Sequence, residues 1–146
     1  MTPHFSLDEF IASDTAARLG INNDLPDELH ENALKTLEMM ERIRFHIDAP
    51  ITITSGYRCK ALNGVIGSKP GSDHTLGLAC DFKAPRAGTP FHIAAMLAPV
   101  FKIIGIGQLI LEFGTWVHVS TKIPDKIINR VITIDKTGTR AGIWQT

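Results

Sequence analysis

The stretch Gly71-Ser72-Asp73-His74-Thr75-Leu76-Gly77-Leu78-Ala79-Cys80-Asp81-Phe82 sets a histidine at the end of a Gly-rich loop, seven residues ahead of an aspartate. A neutral imidazole nitrogen and a carboxylate oxygen both bind zinc, at roughly 2.0 to 2.2 Å. Trp116-Val117-His118-Val119-Ser120 offers a third ligand. Strand alternation there sends Trp116, His118 and Ser120 to one face and the two valines to the other. Pairing across the link Phe113-Gly114-Thr115 sets Glu112 opposite Trp116 and Ile110 opposite His118. Glu112 and His118 then lie diagonally on one face, within reach of each other for long side chains. A carboxylate beside a zinc-bound water is what metal-assisted amide hydrolysis requires: the metal lowers the water's pKa, and the carboxylate carries its proton to the leaving amine. Three protein ligands also leave a fourth position open, which separates a catalytic zinc from a closed structural one. The expected centre is one Zn2+ per chain on His74, Asp81 and His118, with Glu112 as general base.

Singly, each residue has a plainer reading: a solvated loop histidine, an edge-strand charge, a hydrogen-bonded core histidine, an exposed strand end. Their meaning depends on the elements that bring them together. Ser6-Leu7-Asp8-Glu9 has capping-box spacing, which predicts a short helix ending near Gly20. Leu29, Ala33, Leu37, Met40 and Arg44 recur at helical spacing through His46, so a long scaffold helix is expected, stopped by Pro50. Ile51 to Thr54 alternates as a half-buried strand. From Tyr57 to His74 the chain is rich in Gly, Ser, Asn and Pro and reads as an irregular surface segment, where function tends to sit. Strands are expected at Leu78 to Lys83, Gln108 to Leu111, Trp116 to Ser120 and Val131 to Ile134. A helix is expected from Pro90 to Val100, and a helical turn or loop from Pro124 to Asn129.

The chain's 146 residues suit one domain spanning 1–146. With 15 basic and 15 acidic residues, it lacks the electrostatic footprint of a nucleic-acid binder. Its longest apolar stretch, Ile103 to Leu111, is broken by Gly105, Gly107 and Gln108, short of the roughly 20 residues that span a membrane. No nucleic-acid or membrane partner is expected, and a monomer is. Met1-Thr2-Pro3-His4-Phe5-Ser6 lacks the features of a secretory signal, so synthesis in a cytoplasm is expected, with Cys59 and Cys80 as reduced thiols.

The order Ser55-Gly56-Tyr57-Arg58, Asn63, Ser72-Asp73-His74 with Gly77, Ala79 and Asp81, and Trp116-Val117-His118 resembles the D-alanyl-D-alanine carboxypeptidase and L-alanyl-D-glutamate endopeptidase family of zinc peptidases. It is most similar to the small phage and prophage members, over roughly Phe5 to Ser120. The resemblance implies an α+β fold shared with the Hedgehog signalling domain, a small antiparallel sheet carrying the zinc site with helices packed on one side. It implies His74, Asp81 and His118 as metal ligands. It also implies Arg58 as the arginine that binds a substrate carboxylate or steadies the tetrahedral intermediate, a role suited to a permanently charged planar fork. Ser72 either bonds substrate or holds its loop, and Trp116 either stacks on substrate or packs the hairpin. Many members carry the catalytic acid three residues before the last ligand, where this chain has Thr115; the Glu112 to His118 spacing resembles the Hedgehog-like arrangement.

The activity so implied is hydrolysis of an amide bond in peptidoglycan stem peptides, by a phage lysis enzyme released to the cell wall or by a virion component. The alternative is a zinc-containing wall-binding or virion module that cleaves nothing, as Hedgehog domains retain the metal site without established peptidase activity.

Overall fold

The computed structural model describes residues 1–145. Ser6 opens α1 (Leu7–Ile11) with the expected capping box, its hydroxyl accepting from the Glu9 N–H while the Glu9 carboxylate accepts from the Ser6 N–H. The helix does not run on to Gly20. It breaks at Ala12, and Ser13 caps a second helix, α2 (Asp14–Leu19), because a serine at that point satisfies the new helix's free N–H groups. Asn23 then holds the next turn in place, donating to the carbonyls of Ile11 and Tyr57 and accepting from the Cys59 N–H.

The scaffold helix α3 (His30–Ile47) buries Ala33, Leu37 and Met40 of the expected stripe, which Ile43 and Ile47 continue in place of Arg44, while Leu29 lies in the 3-10 turn before the helix. It ends at Asp48 in the left-handed conformation, ahead of Pro50. With α5 (Pro90–Leu97) and α6 (Phe101–Ile104), α3 packs behind a six-stranded sheet. The stretch expected as one helix to Val100 tightens into a 3-10 turn at Ala98–Val100, and the chain coils again through α6.

The strands are β1 (Thr52–Ser55), β2 (Ala79–Lys83), β3 (Gln108–Glu112), β4 (Trp116–Ser120), β5 (Val131–Asp135) and β6 (Gly138–Ala141), in the order β1-β2-β4-β3-β5-β6. The first four are antiparallel, and β5 joins β3 in parallel. That parallel join extends the antiparallel sheet that was expected. After β4 the chain crosses the end of the sheet and re-enters beside β3 in the same direction. Gly107 permits the crossing, since a Cβ there would stand 2.4 Å from the Lys122 carbonyl oxygen. Arg130 then fastens it, donating to the carbonyls of Ile106 and Gly107. The sixth strand was not legible as a strand; it pairs with β5 around a two-residue turn at Lys136-Thr137.

Cys80 and Phe82 of β2, Val117 and Val119 of β4, and Leu109 and Leu111 of β3 turn one face of the sheet into the core. Each is fully buried, contributing on the order of 1.5–3 kcal/mol for the larger side chains. By the two-residue period, Asp81, His118, Ile110 and Glu112 are turned to the other face. That face is covered by the segment from Tyr57 to Leu78, which contains more structure than its composition suggested: α4 (Lys60–Ile66) and a 3-10 turn at Asp73–Leu76. The signal for α4 was masked because its cap is Cys59, whose Sγ accepts from the Leu62 N–H. No helix among the described residues is long and apolar enough to cross a membrane.

Candidate metal centre

Pairing between β2 and β4 sets Asp81 directly opposite His118, and pairing between β3 and β4 sets Glu112 opposite Trp116 and Ile110 opposite His118. The hairpin register is the one the three-residue link predicted. His74 comes from the covering segment. Its 3-10 turn starts at Ser72, whose hydroxyl accepts from the His74 N–H, and is tied to the scaffold helix by Thr36, which donates to the Gly77 carbonyl. Asp73 adds a second tie, accepting from the Ser120 hydroxyl at 2.7 Å. Its place beside His74 in a Ser-Asp-His run was the available signal for that anchoring role.

The ligand atoms of His74, Asp81 and His118 all lie within 4.8 Å of one another, and all three residues are buried. His74 Nδ1 stands 2.7 Å from the Gly56 carbonyl oxygen, which fixes the proton on Nδ1 and leaves the Nε2 lone pair facing Asp81. Bonds of about 2.0–2.1 Å in a tetrahedral zinc site put ligand atoms about 3.3 Å apart. His74 Nε2 and Asp81 Oδ1 already stand 3.3 Å apart. His118 Nδ1 is 2.8 Å from the same Oδ1, a hydrogen bond about 0.5 Å shorter than that separation. Two imidazoles and one carboxylate around an open fourth position therefore fit a catalytic zinc.

Burial works to raise the Asp81 carboxyl, but the two histidines outweigh it and hold the group well below the usual carboxylate range, ready to ligate. Burial pushes the His74 imidazole down, against the pull of Asp81, and so favours its neutral ligating form. His118 is raised: burial opposes protonation there, and the hydrogen bond and charge of Asp81 overcome it.

Glu112 lies at the edge of this cluster, its Oε1 3.9 Å from His118 Nδ1 and its side chain 22% exposed. Burial is the main cause that raises its pKa, with Asp81 adding to it and His118 and Arg58 opposing. A proton-hungry carboxylate that water can still reach is what a general base requires. Arg58 is buried at 8% exposure, with one Nη donating to the Ser55 hydroxyl and its Nε without a partner. Burial lowers its pKa, and the charges of Asp81 and Glu112 oppose that.

Arg58, Ser72, the three ligands, Glu112 and Trp116 line a single cleft of about 360 Å³. Trp116 packs in the hairpin, its ring 6.2 Å from that of Phe113, and it also lines the cleft, with a buried, unpartnered Nε1. Sequence reasoning missed Phe113 and Ile66 in the cleft wall. Both sit beside glycines, Gly114 and Gly67, which was the signal for turns exposing them. Cys59 and Cys80 are free thiols, and Cys80 is buried, which pushes its pKa well up and leaves it inert.

A family model described as peptidase M15 matches residues 3–120, most of the chain and the whole of the cleft just described. No curated protein matches the chain.

Proposed function

The chain belongs to the peptidase M15 family of metallopeptidases, and from that membership we propose that it is a zinc-dependent hydrolase of amide bonds in peptidoglycan stem peptides. The observation that carries the proposal is the placement of Glu112, a carboxylate of raised pKa, 3.9 Å from one member of a buried His-Asp-His cluster and in the same cleft. His74, Asp81 and His118 would hold the metal. Zinc bound there supplies Lewis acidity, lowering the pKa of a water toward about 7 and polarising the scissile carbonyl. Glu112 takes the proton of the attacking water and delivers it to the leaving nitrogen. Arg58 lines the cleft, and its fixed guanidinium charge there suits a developing oxyanion or a substrate carboxylate. Ser72 holds the His74 loop. The residues shared with small phage and prophage members support a wall-lytic enzyme of that type.

The test is mass spectrometry of purified peptidoglycan fragments after incubation with zinc-loaded and with chelated protein. A zinc-dependent product is expected, and its mass names the bond. Glu112→Gln should abolish the product while zinc remains bound, and His74→Ala should lose both. An active Glu112→Gln protein defeats the assignment of the base; stoichiometric zinc with no product in the wild type points instead to a wall-binding module.

A further inference from the structure

The metal cleft does not end at its own walls. Phe113 also lines a second, larger cavity of about 490 Å³, whose other walls are Asp135, Lys136, Thr137 and Arg140 of the β5–β6 hairpin. On the opposite side, Arg58, Ile66, Asp81 and Trp116 are shared with a third cavity of about 370 Å³, which runs on to Ser13 and Asp14 at the start of α2. The three cavities adjoin through these shared residues, with the metal cluster in the middle one.

A backbone outlier marks the junction between the first two. Phe113 has φ +54° and is half exposed. With Gly114 at φ +63° and the Thr115 N–H donating to the Glu112 carbonyl, it occupies the first central position of a hairpin turn that prefers asparagine or aspartate. Among the described residues the other non-glycine at positive φ, Asp48, is of a type that tolerates this conformation at a helix end. A bulky ring in that region is strained, and strain kept at the mouth of a cleft is an observation from which function is reasonably inferred. The ring is held up between the two cavities, against Trp116.

Beyond it the hairpin presents cations. Arg140 lies over the Trp144 ring at 5.2 Å, and Trp144 is itself pinned by its indole N–H donating to the Ala141 carbonyl. The Arg140 guanidinium is ion-paired through one Nη with Asp135 at 3.7 Å, which leaves its other N–H groups for a ligand. Lys136 stands beside it at the turn. An aromatic lip followed by a preorganised guanidinium and an ammonium suits a peptide residue bearing a carboxylate. This hairpin lies outside the residues matched by the family model.

We propose that Phe113, Lys136, Thr137 and Arg140 form an outer subsite for a carboxylate-bearing residue of the substrate peptide, so that the chain runs through the adjoining cavities and is cut at an internal bond. The inference rests on the peptidase reading above, and its test is built to fail separately. Fluorescent stem peptides are made that extend beyond the scissile bond on one side or the other and end in glutamate or in glutamine. Their binding to zinc-loaded Glu112→Gln protein is measured by anisotropy, and their cleavage by the wild type is measured alongside. One of the glutamate peptides is expected to bind about tenfold more tightly than its glutamine twin, a preference that Lys136→Ala/Arg140→Ala removes. Phe113→Asn should weaken binding of both extended peptides while raising the unfolding midpoint by about 2–4 °C, since asparagine relieves the strained turn. Equal binding of glutamate and glutamine peptides, or a preference that survives loss of both cations, overturns the subsite. A binding preference without cleavage by the wild type would instead sink the peptidase reading and leave the subsite standing.

Discussion

Gly56→Ala tests whether the fold and the metal centre are one mechanical unit. A Cβ built on Gly56 falls 2.2 Å from the carbonyl oxygen of Phe10 and 2.7 Å from its ring. A methyl carbon needs about 3.3 Å from such an oxygen, so the two backbones must part by about 1 Å. The obstructing atom is backbone, fixed on its own side by the Tyr57 N–H, which donates to it at 2.8 Å. No side chain can swing aside, and the cost is about 1–3 kcal/mol of folding stability. The same residue's carbonyl orients His74 at 2.7 Å. Displaced by about 1 Å, that contact passes beyond hydrogen-bond range, and loss of such an outer-shell partner lowers metal affinity about 10- to 100-fold. Zinc titration against a competing chromophoric chelator, run beside thermal melts of the chelated protein, reads both effects. An alanine variant that keeps wild-type zinc affinity would refute the orienting role of Gly56. A variant as stable as the wild type would refute the steric argument as well.

Three other perturbations reach different parts of the molecule. Phe82→Ala empties a fully buried position between the sheet and its helices and should cost about 3–5 kcal/mol, read by urea unfolding. Arg130→Ala removes the two donors that fasten the crossing to the carbonyls of Ile106 and Gly107. It should speed amide hydrogen exchange in β5 and β6 well before it alters β2 or β4. At Glu41, burial pushes the carboxyl up, and the hydrogen bonds from the His4 backbone and ring outweigh it, holding the group below the usual carboxylate range. A depressed folded pKa stabilises above the unfolded value and is lost as pH falls through the folded one. Glu41→Gln should therefore flatten the acid limb of a stability-against-pH curve, by about 0.5 kcal/mol or less since His4 is open to solvent.

What could be read from the chain depended on whether a signal was local. The shared face of Glu112 and His118 and the hairpin register were legible because strand alternation and a three-residue link fix which side chains share a face. The stripe of α3 was legible for the same reason at helical period. The break at Ser13 was present as a second capping serine, yet a single helix to Gly20 satisfied the same residues. Helix α4 was hidden because its cap is a thiol, and the parallel place of β5 because nothing near Val131 says which strand it will meet. That choice is made by Gly107 and Arg130, which meet only once the chain has folded back. The outer cavity was invisible for the same reason, since Phe113 and Arg140 are brought to one pocket only by the pairing of β3 with β5.

Metal binding and core packing are coupled through register. Asp81 faces His118 across β2 and β4 because Cys80 pairs with Val119 and Phe82 with Val117, and all four of those side chains are fully buried on the opposite face. A slip of one residue would turn the apolar set outward and carry Asp81 and His118 away from His74. The core thus excludes the registers in which these three side chains cannot meet, and a metal bound in the correct register would stabilise it in return by mass action. His74 is the exception, held by the covering segment through Gly56, Ser72, Asp73 and Thr36 rather than by the sheet. Of the three ligands it is the one whose position loosens first when the covering segment opens, so metal release should begin there rather than in the strands.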